Sequence, residues 1–537
     1  MSKTFIDPCK TGYFSKLICD YIEEKDSLKP FYNRFPVLSG FRQQIEEKRQ
    51  NFDHANRKVL VRVLRNQYSH LDLSEATDAN LEALLQDNCF TITTGHQLNL
   101  FTGPLYFLYK IVSTIKLTDQ LQREYPDQRF VPVYWMATED HDFEEINFFN
   151  FHGKTFRWSG PGTEEEGGAV GRLPTEGLDK VSELLRQELG KGSSAEKLLD
   201  LFEQAYIKHS NLADATRFLA DALFGEYGLV IIDADNKELK SLFEPYMVKE
   251  LKEEVTYNSV SETISELQKT DPDYTIQVNP RNINLFYLET GLRERIFHDG
   301  DRYGVTDTEK AWKEDQLLKE VHEHPERFSP NVLMRPLYQE VILPNLCYIG
   351  GGGELAYWLQ LRHAFNAFEV TFPVLLLRNS ALIMTDKQRD KLKKLQIGDQ
   401  QLFLDHHAFI NRKVREISDI NIDFTPQKEH LIKQFEELYS LAEKTDKSFL
   451  GAVKAQEVKQ LKGLAKLEKR LLKAQKRKLS DQVERMTELR NELFPNGNLQ
   501  ERSINFSNIY LEHDQEFIRI LFRELEPLKK DFTILSL

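Results

Sequence analysis

Cysteine is scarce in this chain. The four present in 537 residues are Cys9, Cys19, Cys89 and Cys347, and no two have the spacing of a zinc knuckle or a redox pair. Cys89 and Cys347 sit in apolar, strand-like runs and read as buried thiols. No disulfide framework and no zinc site follow from them. Long apolar runs are missing too. The segment Pro373 to Leu377 is among the longest, far short of a bilayer span. The first residues hold no apolar stretch of signal-peptide length, so the expectation is a cytoplasmic protein. Positive charge is outweighed, with a net charge of −13, which argues against nucleic acid as partner. The phosphate loop G-x-x-x-x-G-K-[ST], a G-x-G-x-x-G after a strand and a G-x-S-x-G elbow are all absent. Their absence argues against P-loop kinases, fingerprint dehydrogenases and serine hydrolases.

What is present is a large apolar interior. Hydrophobic residues make up 40%, with 35 phenylalanines, enough for two or three domains. Residues 1–88 read as helical. Two strand-like segments follow, Cys89–Thr93 and Phe130–Met136, with a helix between them opening at Gly103-Pro104. That is a βαβ pattern and predicts a parallel α/β sheet. A further buried strand is expected at Val230–Asp233, and the sheet is expected to resume near Val332 and at Val370–Leu377. Insertions are expected at about 151–225, including the glycine- and glutamate-rich run 162–168, and at 240–328 with strand-like Tyr274–Val278 and Leu285–Leu288. The core then ends near 385. Apolar residues such as Leu431, Phe435, Leu438, Ala442, Val458, Leu461, Ala465 and Leu472 recur at heptad-like spacings, so 386–502 reads as an α-helical coiled coil. Gly451 or Gly463 is expected to break it, and 503–537 to return to the core. The lysine-rich stretch Lys454–Lys478 lacks aromatics and reads as a solvated coil face.

Three clusters carry chemistry. The turn Thr94-Gly95-His96-Gln97, with Gly103 beyond it, follows a strand and precedes a helix. It reads equally as an anion site, with His96 donating to a phosphate, or as a capped turn with an incidental histidine. Lys110 reads as too far along its helix to reach this turn. The second cluster, Glu139-Asp140-His141-Asp142 with Glu144 and Glu145, sets five carboxylates around one imidazole. It needs a cation: nucleotide-borne Mg²⁺, a substrate ammonium or a protein arginine. His141 is a candidate base, and an acidic helix start explains Glu144 and Glu145 alone. The third is Gly350 to Gly353 followed by Glu354 and Tyr357, read as a glycine loop wrapping a ligand. Upstream, Asn331 and Arg335 are polar groups in an apolar segment, and Arg335 suits a carboxylate, a phosphate or a structural ion pair.

Four strings together resemble one family: TTGHQLNLFTGPLY from Thr93, VPVYWMATEDHDFEEIN from Val131, YIGGGGELAYWLQL from Tyr348 and LFPNGNLQER from Leu493. They resemble BshC, the cysteine-ligase family of bacillithiol biosynthesis, over essentially the whole chain. The resemblance implies a Rossmann-like core related to class I aminoacyl-tRNA synthetases, connecting-peptide insertions and a coiled coil used for homodimerisation. It places the Thr93–His96 turn where the synthetases carry H-x-G-H, with Thr93 in place of the first histidine. Arg378-Asn379-Ser380 lies where K-M-S-K-S would fall. It implies ATP-dependent amide formation between L-cysteine and glucosaminyl-malate. In that reading His96 and the Gly95 amides stabilise phosphate, and Asp140 or Asp142 holds the cysteine ammonium. His141 orients a carboxylate or accepts the amine proton, Arg335 meets malate or phosphate, and Gly351, Gly352 and Gly353 cover the pocket. A nucleotidyltransferase with another acceptor and a non-catalytic nucleotide-binding scaffold are the alternatives.

Overall fold

The computed structural model describes residues 2–161, 168–300 and 302–537; most of the glycine- and glutamate-rich run expected in the first insertion lies outside them. The core is a five-stranded parallel sheet. In chain order its elements are β1 (Cys89–His96), α1 (Tyr106–Glu124), β2 (Arg129–Met136), β3 (Val230–Asp233), α2 (Arg335–Ile342), β4 (Asn345–Gly350), α3 (Gly352–Trp358) and β5 (Val374–Leu377). The strands lie in the order β5-β4-β1-β2-β3, all parallel. The chain leaves β1 toward β2 and returns to its other side at β4, so the topology reverses between β1 and β4. All eight residues of β1 are buried, as a central parallel strand requires.

Several boundaries differ from the sequence reading. β1 continues past Thr93 because Thr94, Gly95 and His96 pair with Tyr134, Trp135 and Met136. α1 starts at Tyr106 because Phe101, Thr102 and Gly103 have left-handed backbones that exclude a helix. No strand forms at Val332; Asn331 accepts from the N–H groups of Leu333 and Met334, turning the chain toward α2. Residues Tyr274–Val278 do not join a sheet either. Gln360 accepts from the Gln277 N–H at 3.0 Å and donates to the Val278 carbonyl at 2.7 Å, so one side-chain amide takes the place of a neighbouring strand. The second insertion is instead a five-stranded antiparallel sheet running from Leu285 to Pro330.

The beginning of the chain is a strand, not a helix. Ser2–Ile6 pairs antiparallel with Phe532–Ser536, which pairs parallel with Ala381–Met384 just after the core. Gln500 and Glu501 fasten this junction. Gln500 bonds the Ile383 N–H and carbonyl, and buried Glu501 accepts from the Ala381 N–H and from Arg378.

Beyond it, α4 (Thr425–Ala442) and α5 (Lys447–Lys478) form a helical hairpin, and α6 (Ser480–Leu493) packs back on the junction. Tyr439 reaches Glu457 while Lys428 reaches Glu468, so the two long helices are antiparallel. The break falls at 443–446, where the Asp446 side chain caps α5 through the Phe449 N–H. Gly451 and Gly463 lie inside α5. Among the described residues, no helix is long and apolar enough to cross a membrane.

A buried polar network fixes the start of β4 beside β1. Lys48 and Glu340, with side chains 2% and 0% exposed, pair at 2.8 Å. Glu340 also accepts from Asn345, and Asn345 accepts from the Thr93 hydroxyl at 2.8 Å. Removing one member strands a buried charge. Glu340→Ala is expected to lower the unfolding free energy by about 3–5 kcal/mol in urea titrations, and Glu340→Gln by less.

Candidate functional site

The carboxyl ends of β1, β2 and β4 open into one cleft of 690 Å³, at the point where the topology reverses. The structure brings most of the sequence candidates to it. Gly95, His96 and Gln97 come from the end of β1, and Glu139, Asp140 and His141 from the loop after β2. Asn331 and Arg335 come from the start of α2, and Gly351, Gly353, Glu354 and Tyr357 from the end of β4 and from α3.

Four candidates do not line it. Thr94 turns its hydroxyl to the Ile349 carbonyl at 2.7 Å and ties β1 to β4. Gly103 serves the backbone: its φ is +63°, and a Cβ there would sit 2.4 Å from that of Asn99. Gly352 faces Phe14 and Ile18, and Asp142 is exposed outside the cleft. The glycines form no covering loop. Gly350 ends β4 and Gly352 opens α3, so Gly351 and Gly353 are cleft floor. Gly350 is required by packing, because a Cβ would lie 2.8 Å from Leu355.

Lys110 reverses its expectation. Since α1 begins at Tyr106, Lys110 is only one turn in, and its ammonium donates to the Gly95 carbonyl at 2.7 Å. The same ammonium pairs with Glu354 at 2.7 Å. Glu354 also accepts from the Gly351 N–H at 2.8 Å and from the Tyr348 hydroxyl at 2.7 Å. Burial pushes this carboxyl up; Lys110 and these hydrogen bonds outweigh burial and hold it below its ordinary value. The Tyr348 hydroxyl fills the space beside Gly95, 3.1 Å from where a Cβ would stand. Gly95 therefore admits a tyrosine to the backbone.

His96 is buried between Tyr106 and Phe107. Burial, then the neighbouring Lys110 charge, lowers its pKa to about 3, so the ring is neutral at physiological pH. Its Nε2 is buried with no hydrogen-bond partner among the described residues, and so is Nε of Arg378, whose guanidinium lies over the Tyr106 ring. Both atoms are buried beside the cleft, where a polar ligand could satisfy them.

The acidic cluster gets its cations from the chain itself. Glu139 and Asp235 both pair with buried Lys240, and Arg172 grips Asp235 with two hydrogen bonds of 2.7 and 2.8 Å. Asp140 accepts from Gln97 at 3.0 Å and from the His141 N–H at 2.8 Å. Burial raises this carboxyl, but the hydrogen bonds it accepts and the nearby Arg293 charge prevail and hold it below the usual range. Arg293 lies 2.9 Å from His141 Nδ1. A guanidinium only donates, so Nδ1 accepts and the neutral ring carries its proton on Nε2. That favours an orienting donor over a base at His141.

The sequence reading missed Lys110, Tyr348, Arg293 and Arg295 as cleft residues. Only Lys110 left a usable signal, since a helix starting at Tyr106 rather than Gly103 brings it within reach.

Lys110→Met tests the clamp through pH. An unfolded glutamate titrates near 4.5. In the wild type the folded value is lower, so the stability from Glu354 is fully present above that pH and is lost as pH falls through the folded value. Without the ammonium, burial raises the carboxyl, and stability is lost as pH climbs from 4.5 toward neutrality. Urea midpoints from pH 4 to 7 are expected to diverge with rising pH; parallel curves would contradict the clamp.

Comparison with known proteins agrees with this architecture. The model described as "Bacillithiol biosynthesis BshC, N-terminal Rossmann-like domain" matches residues 1–379. Its companion, "Bacillithiol biosynthesis BshC, C-terminal coiled-coil domain", matches 381–537. A protein of Christiangramia forsetii named "Putative cysteine ligase BshC" is 58% identical over 98% of each chain. Proteins of the same name from Flavobacterium johnsoniae and Flavobacterium psychrophilum are 56% and 54% identical, again over 98% of each chain. With both halves matched in order, the chain belongs to the BshC family of bacillithiol biosynthesis.

Proposed function

We propose that this cleft joins the carboxyl group of L-cysteine to the amine of glucosaminyl-malate, in the cytoplasm, forming an amide. The observation that carries the reading is the cleft's charge. The chain is acidic overall, yet seven cationic side chains line the cleft against three carboxylates, Glu139, Asp140 and Glu354. Such a site draws small anions, and both carboxylic substrates and phosphates are anions. The names carried by the relatives support cysteine as one substrate.

ATP, when bound, would supply activation of the cysteine carboxyl. Lys110, Arg335 and Arg378 are the residues that would face its phosphates, and the unpartnered Nε of Arg378 fits that role. Neutral His96 contributes a polar contact through Nε2, not a positive charge. Asp140, ionised and on the cleft wall, suits the cysteine ammonium; Asp142 is too far out. His141 orients a carboxylate through Nε2.

A second copy of the chain completes the coil. The α4–α5 hairpin buries Phe435, Ala442 and Val453 but leaves Leu441, Phe449, Val458 and Leu467 exposed. Exposed apolar side chains on a long hairpin are of the kind a second copy would cover. Sedimentation is expected to give a dimer, and Leu441→Glu with Leu467→Glu a monomer.

The reading is tested by mass spectrometry on purified protein with L-cysteine, glucosaminyl-malate and Mg-ATP. Thiol product with AMP indicates an adenylate route, and product with ADP an acyl phosphate. Product in the absence of nucleotide would remove ATP from the reading, and folded protein that forms none would overturn it. His96→Ala combined with His141→Ala is expected to slow product formation by about 100-fold or more.

A further inference from the structure

The wall of the cleft opposite the parallel sheet belongs to the antiparallel insertion. There the strand Leu292–Asp299 runs beside Leu285–Glu289, with Arg293 opposite Leu288 and Arg295 opposite Phe286. Side chains two apart on a strand share a face, so Arg293, Arg295 and Phe286 look into the cleft while Glu294 points the other way. Arg281 arrives from the segment before the sheet. Its backbone is held on both sides by Asn284, which accepts from the Arg281 N–H and donates to its carbonyl at 2.6 Å. Asn331, a residue the sequence singled out, donates to Asn284 at 2.9 Å and so steadies this corner.

The three arginines are not equally committed. Arg293 bonds Ser329 through Nε at 3.3 Å and His141 through Nη1, with its Cζ 4.0 Å from the Phe286 ring centre. Arg281 and Arg295 are exposed, and among the described residues neither has an acidic partner. On the β2 side of the cleft, Glu139 and Asp140 are already served by Lys240, Gln97 and the His141 N–H. Uncompensated guanidinium groups on an acidic protein, converging on one pocket from a rigid frame, fit a small dianion better than a neutral sugar.

We propose that Arg281, Arg293 and Arg295 form the subsite for the malyl dicarboxylate of the amine substrate. This rests on the function proposed above. Strand neighbours two residues apart are rooted about 7 Å from each other, a separation that lets two forks grip the two ends of a four-carbon diacid. Arg293 has a second task. Because its guanidinium also sets the tautomer of His141, a carboxylate bound to Arg293 stands one residue from the imidazole, and substrate binding and ring orientation share one side chain.

The test is steady-state kinetics on the full-length protein with Arg281→Gln, Arg295→Gln and the double variant. Both residues are exposed, so the variants should fold. The double variant is expected to raise KM for glucosaminyl-malate at least about tenfold, with KM for cysteine and ATP within about twofold. The preference for glucosaminyl-malate over the methyl glycoside of glucosamine, which lacks the diacid, should shrink by the same factor. Calorimetric titration with L-malate gives a readout independent of turnover: malate should bind the wild type and bind the double variant at least about tenfold more weakly. Unchanged KM and preference in an active enzyme would overturn the subsite and leave the ligase reading intact. A rise confined to the ATP KM would overturn it in favour of a phosphate site. If the wild type turns nothing over but malate binding still depends on these arginines, the subsite stands and the ligase reading falls.

Discussion

The ion pair between Lys110 and Glu354 holds the functional half of this molecule in shape. It lies where the two halves of the parallel sheet part, joining the helix after β1 to the helix after β4. A carboxylate there takes donors from Lys110, Tyr348 and Gly351, and the ammonium spends another proton on the Gly95 carbonyl. The opposite end of the same strand pair is closed by Lys48, Glu340 and Asn345. The β1–β4 seam is therefore fastened by charge at both ends and by Thr94 in between. Charged pairs this deep are costly to desolvate and rarely stabilise more than an apolar replacement would. They do fix geometry, because each partner accepts few arrangements. A cleft built from several chain segments needs that fixity.

Charge is also sorted across the cleft. On the β2 side, carboxylates are paired within the chain by Lys240, Arg172 and Gln97, which leaves Asp140 ionised but not isolated. On the insertion side the arginines outnumber their partners. In the proposed reaction, a zwitterionic amino acid and an anionic acceptor would then sit side by side without competing for the same counter-charge. The chain as a whole carries a net charge of −13, so the cationic lining of the cleft runs against its overall balance.

Much of this was legible in the sequence, for physical reasons. Continuous apolar runs at Cys89 and Phe130 with a helix between them could fold only as neighbouring buried strands, and the polar clusters after them had to fall at their carboxyl ends. The misreadings share another cause. Ser2–Ile6 looked unlike a strand because its partner lies more than 500 residues away. Lys110 looked remote because left-handed residues at 101–103, held by Asn505, delay the helix. Glycine suggested the coil break, but Asp446, a capping residue, made it. Arg293 and Arg295 alternate with Glu294 as on any solvent-facing strand, and no local pattern tells which face meets a cleft built some 150 residues earlier.

The pairing of Ser2–Ile6 with Phe532–Ser536 has a consequence for how the protein comes into being. The strand Ala381–Met384 directly follows the core, yet its sheet partner is Phe532–Ser536, which in turn holds Ser2–Ile6. During synthesis the first strand must wait unpaired while the whole core and coil emerge, and the join between them closes only when the last strand arrives. A chain interrupted in the coil would leave the edges of Ser2–Ile6 and Ala381–Met384 without the strand that joins them, open to pairing with another chain.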